Sequence, residues 1–94
     1  MAETRKLADL RGIGKAMLRD FERLGVRGVA QLARCDARKL YDRIGKLDGA
    51  PHDPCVLDTY ACAIAQARDP DLPGEQCDWW WWSRRRKAGV VAKD

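Results

Sequence analysis

The sequence predicts an all-α protein, a small helical domain of about five short helices. Apolar residues recur at three- and four-residue intervals along most of the chain, which is the period of a helix with one buried face. No segment alternates apolar and polar residues as a half-buried strand does, and residues that cap helices stand between the periodic segments. The length, 94 residues, suits a single domain, and a hydrophobic fraction of 46% is that of a globular chain. In so small a core a few large side chains carry much of the burial.

Residues 4–9, TRKLAD, form a short first helix with Thr4 as its cap. Gly12 and Gly14 then interrupt regular structure in LRGIGK. KAMLRDFERLG is a helix: Met17, Phe21 and Leu24 recur at i, i+4 and i+7 with Leu18 beside them, and Gly25 closes it. VRGVAQLARC supplies a turn and a short helix with Val29 and Leu32 inward. Asp36 caps a helix from Ala37 to Leu47, whose apolar residues are Leu40, Tyr41, Ile44 and Leu47. After the loop DGAPHDP, Asp53 is the next cap and Pro54 fits the first helical position. The helix that follows carries Val56, Leu57, Tyr60, Ala61 and Ile64, and DPDLPGEQ stops it with two prolines and a glycine. The run Trp79–Trp82 cannot share one face, so at least two of its indoles should lie over the helices as a lid and the rest stay partly exposed. Residues 1–83 form the domain, and residues 84–94 are expected to be a basic, disordered tail, because they offer little apolar surface to offset chain entropy.

The stretch LRGIGKAML bears most directly on function. Two short helices joined by a hydrophobic–x–Gly–hydrophobic–Gly turn resemble a helix-hairpin-helix motif, a device that holds the DNA backbone without reading bases. Gly12 and Gly14 let the main chain approach a phosphate, and backbone N–H groups with the positive end of the next helix face its oxygens. Ile13 plugs the turn into the core, and Lys15 adds a charge at the edge. Lys15, Arg19 and Arg23 follow one another at i, i+4 and i+8, opposite the apolar face, with Glu22 nearby to weaken the stripe. LGVRGVAQLARCDARKLYDRI reads as a degenerate second half, with Gly25, Arg27 and Gly28 in its turn. The expected DNA-binding residues are Arg11, Gly12, Ile13, Gly14, Lys15, Arg19 and Arg27. The expected activity is sequence-independent binding, strongly dependent on salt.

From Leu7 to Trp82 the chain resembles a family of small bacterial helix-hairpin-helix proteins known as pathogenicity-locus or mitomycin-resistance proteins. The resemblance rests on LRGIGKAMLRDFERLGVRGVAQL, on LYDRIGKLDGAPHDPCVLDTYACAIA and on the Trp-rich end. It implies a compact helical domain with a tandem hairpin core and DNA binding, and it brings no catalytic residue. PHDPC in the loop, the full run of four tryptophans and the extension SRRRKAGVVAKD depart from the family pattern.

Other readings are narrower. The net charge of +4 favours a polyanionic partner only weakly. One histidine, His52, and one serine, Ser83, leave no nucleophile with a partner, so no enzyme is expected. His52, Cys55, Cys62 and Cys77 are the conceivable zinc ligands, but Cys55 and Cys62 stand two helical turns apart, about 10 Å, and no Cys-x-x-Cys pair anchors a site. No metal or cofactor is expected, and Cys55 and Cys62 read as small buried hydrophobes. The charged N-terminus carries no signal peptide and no apolar run spans a membrane, so a cytoplasmic protein with reduced thiols is expected. The alternative function, from a different class, is a protein-interaction or scaffold domain that uses the Trp-rich segment, self-associating as a homodimer or holding a protein partner. The same segment could stack on unpaired bases or rest on a membrane surface, the last disfavoured for want of a longer amphipathic helix.

Overall fold

The computed structural model describes residues 3–88, and all the regular structure in that range is helical, with no strand among the described residues. A single 3-10 turn, Leu7–Asp9, leads into α1 (Lys15–Arg23), α2 (Val29–Leu32), α3 (Ala37–Leu47) and α4 (Pro54–Arg68). A second 3-10 turn, Gly74–Cys77, precedes α5 (Trp79–Lys87).

The expected caps set most of these limits. Asp36 accepts the Lys39 N–H at 3.1 Å to open α3, and Asp53 accepts the Cys55 N–H at 2.8 Å to open α4, with Pro54 at its first position. Gly25 adopts φ +78° at the end of α1. There the Val26 N–H bonds back to the Phe21 carbonyl at 2.8 Å and the Gly25 N–H to the Glu22 carbonyl at 3.1 Å, which satisfies two carbonyls the helix leaves open.

Two expectations change. The first element is a 3-10 turn entered from Lys6, whose N–H bonds the Asp9 carboxylate at 2.8 Å, so Thr4 caps nothing. Leu47, the last apolar residue of α3, is exposed. The break set after Ser83 falls inside α5, which continues to Lys87; residues 89–94 of the expected tail lie outside the described residues.

α4 is the axis of the molecule and packs against α2, α3 and α5. It therefore buries more than the one apolar face read from the sequence: Asp58, Tyr60, Cys62, Ala63, Ile64, Gln66 and Ala67 are all buried. Tyr60 and Phe21 stand at the centre, both fully buried, with ring centroids 5.5 Å apart. Leu10, Leu24, Val26, Val29, Leu32, Leu40 and Ile44 complete the core around them, with Ile13 and Met17 packed at its margin.

Two polar side chains of α4 are buried because each has its partners. Asp58 receives the Arg86 guanidinium through two bonds, 2.9 and 3.1 Å, which fixes α5 across α4. Gln66 turns its amide toward the turn ahead of α1, described next.

Candidate nucleic-acid interface

The turn between the first 3-10 turn and α1 is built on one glycine with a special backbone and one without. Gly12 has φ +83°, where a β-branched residue would be strained. Gly14, the cap residue of α1, has φ −99°, open to any residue, and a Cβ built there meets nothing within 4 Å. No side chain caps α1, so its first N–H groups face outward unsatisfied by a cap.

A buried glutamine holds this turn. The Gln66 Oε1 accepts the Arg11 N–H at 2.8 Å, and the Gln66 Nε2 donates to the Arg11 carbonyl at 2.9 Å. The next glycine turn, ahead of α2, is held in the same way. There the Gln31 Oε1 accepts the Arg27 N–H at 2.9 Å, and its Nε2 donates to the Gly25 carbonyl at 2.7 Å. In each case a side-chain amide satisfies one donor and one acceptor of an irregular backbone and leaves the tip in a single geometry. Neither glutamine was selected from the sequence. Gln31 was within reach of local spacing, four residues after Arg27, whereas Gln66 lies 55 residues from Arg11.

The residues selected from the sequence divide into two groups. Lys15, Arg19 and Arg27 are exposed, and none forms an ion pair with a described residue. Ile13 is half-buried against the core. Arg11 is exposed but tethered along the surface: its Nη1 donates to the Gly74 carbonyl at 3.1 Å, and its Nε lies 3.3 Å from the Asp78 carboxylate. Arg23, read as the end of the basic stripe, pairs with Asp48 at the end of α3. That pairing, followed by the bond from His52, holds the Asp48 carboxyl below the usual range.

The tryptophan run is helical and divides as its geometry requires. Trp82 donates its indole N–H to the Gln76 carbonyl at 2.8 Å, Trp81 lies edge-on to Trp82 and under the Arg85 guanidinium, and Trp79 is half-buried. Trp80 is 48% exposed.

The remaining candidates gather no common centre. The four cysteines are free thiols, and no cluster of metal-ligating side chains occurs among the described residues. Cys62 is buried, which pushes its thiol up to about 11, while Cys55 is only half-buried. No helix of the described residues is long and apolar enough to cross a membrane. A groove of about 510 Å³ lies between the start of α3, α4 and Trp82, and none of the sequence-selected residues lines it.

The sequence profile of the pathogenicity-locus family matches residues 1–88. The chain belongs to the pathogenicity-locus family. Among curated proteins it is similar to the mitomycin resistance protein McrB of Streptomyces lavendulae, with 41% identity over 61 residues, or 65% of this chain and 58% of the relative. The chain thus spans little more than half the length of that relative. The matched span of the pathogenicity-locus profile contains both glycine turns and all of α5. No solved structure matches the chain.

Proposed function

We propose that this protein is a sequence-independent DNA-binding module of the helix-hairpin-helix type, which grips the phosphate backbone at the turn Gly12–Lys15, aided by Arg19 and by Arg27 of the following turn. The observation that carries this reading is Gly14. Neither its backbone angle nor its surroundings require glycine, and a residue with a capping side chain would stabilise α1 better. A bare cap leaves the first N–H groups of α1 to an outside anion, where the helix dipole adds to the attraction. Lys15, Arg19 and Arg27 supply the unpaired positive charge beside it. Contacts of this kind bind phosphate and read no bases. Arg11 contributes its position and its main chain, since its guanidinium is engaged at Asp78. A role in mitomycin resistance is proposed with it, on the name of the relative alone.

Replacing Gly14 by Asp is the test, because it moves stability and binding in opposite directions. The new carboxylate caps α1, stabilising the fold by a few tenths of a kcal/mol, roughly, and it occupies the place of the phosphate with the wrong charge. Fluorescence anisotropy with a short labelled duplex should show binding lost at low salt, while thermal unfolding shows a fold at least as stable. Unchanged affinity in this folded variant would sink the hairpin reading.

A further inference from the structure

One exposed flank of α5 is composed differently from the rest of that helix. Trp79, Trp82, Ser83 and Arg86 recur at i, i+3, i+4 and i+7 and turn toward α4 and the second 3-10 turn: Ser83 is buried, Arg86 holds Asp58, and Trp82 bonds Gln76. Trp80, Arg84 and Lys87 recur at i, i+4 and i+7 along one flank of the helix, beside that packed face, and all three are exposed. Neither Arg84 nor Lys87 forms an ion pair with a described residue, although Arg85 and Arg86 beside them are both engaged. A large apolar ring is therefore left in water at the head of a stripe of two free cations. The ion pair Arg11–Asp78 and the bond from Arg11 to the Gly74 carbonyl fasten the start of this helix to the Gly12 turn.

We propose that the stripe Trp80, Arg84 and Lys87 is a binding surface for single-stranded DNA continuous with a duplex held at the Gly12 turn, so that the preferred substrate is a junction of single and double strand. This inference rests on the DNA-binding reading above. One unpaired base stacks on the Trp80 indole, a contact indifferent to which base it is. Arg84, four residues on and about 6 Å along the axis, meets a neighbouring phosphate, and Lys87 the next. Charge complementarity selects this occupant: a second copy of the chain would bring the same cations to the face and repel it.

The experiment compares three labelled DNAs in anisotropy titrations: a blunt duplex, the same duplex with a single-stranded tail, and the tail alone. The wild-type protein should bind the tailed duplex about tenfold more tightly than the blunt one, the scale of one stacked base. Trp80→Ala should bring the two to parity without weakening the blunt duplex; Trp80→Tyr should keep most of the preference. Arg84→Glu with Lys87→Glu should act as the alanine does. Equal binding of tailed and blunt DNA by the wild type, or a preference untouched in Trp80→Ala, overturns the proposal and leaves the hairpin reading standing. Failure of Gly14→Asp to weaken the blunt duplex overturns the hairpin reading instead, whatever the tail does. A change of oligomeric state in Trp80→Ala by sedimentation, with the tail preference intact, would assign the face to self-association and also overturn the proposal.

Discussion

Asp58 is a carboxylate that the core tolerates only while Arg86 reaches it. Its side chain is 4% exposed, against 28% for Arg86, so removing the cation leaves a charge in the interior with no partner. Breaking a fully buried pair from one side costs 3–5 kcal/mol, roughly, and the partial exposure of Arg86 lowers this. Arg86→Met should therefore destabilise the protein by about 2 kcal/mol, read from the denaturation midpoint. Combining it with Asp58→Leu should recover part of the loss, because two apolar side chains leave nothing unpaired. The same residue explains the misplaced tail boundary. SRRRK read by composition is a solvated end, since it holds no apolar residue of its own. Its order comes from a partner 28 residues earlier on another helix, which has no periodicity to detect, and from the indole of Trp81 under Arg85, an i, i+4 pair that means something only once the segment is read as a helix.

At the scale of elements, the α1 turn depends on a clamp that local sequence does not contain. Gln66→Leu removes both bonds to the Arg11 backbone and leaves a donor and an acceptor unmatched, at a cost of about 1–3 kcal/mol. Hydrogen exchange should show the Arg11 amide losing protection, and duplex affinity should fall with it because the tip loses its fixed geometry. Where elements announce their own ends, the reading from sequence was accurate: Asp36 and Leu47 bound α3, Asp53 and Arg68 bound α4, and Gly25 closes α1, because cap chemistry is local. It failed at α4, where burial on several sides erases the apolar stripe and puts Asp58 and Gln66 inside. The contact between α1 and the end of α3 is also nonlocal, and it responds to acid. The folded state lowers the pKa of Asp48 through Arg23 and His52. Its stabilisation is thus full above the ordinary aspartate value near 3.8 and is lost as pH falls through the lower folded value. The stability difference between wild type and Asp48→Asn should accordingly be present at neutral pH and vanish in acid, as urea denaturation at both would show.

Over the whole molecule, a net charge of +4 conceals two populations of cations. Arg5 donates to the Gln66 and Ala67 carbonyls at the end of α4, Arg68 to the Ala33 and Cys35 carbonyls after α2, Arg23 to Asp48 and Arg86 to Asp58. These cations stitch helices together, and they are spent before any partner arrives. Lys15, Arg19 and Arg27 near the glycine turns, and Arg84 and Lys87 on α5, build nothing in the described residues. The sequence could rank neither group, because a guanidinium that caps a distant carbonyl and one that waits for a phosphate are the same letter. The salt dependence of duplex binding separates them. Each phosphate neutralised contributes about 0.9 to the slope of log affinity against log salt. Neutralising Lys15 or Arg19 by Gln should reduce that slope by about 0.9 each while leaving thermal unfolding where it was. Arg68→Gln should do the reverse, lowering the unfolding temperature and leaving the slope unchanged, since its charge is already committed to the carbonyls after α2. An unfolding temperature that drops for Lys15→Gln, or a slope that drops for Arg68→Gln, would mean that building and binding share their cations, and the division of labour drawn from the ion pairs would not hold.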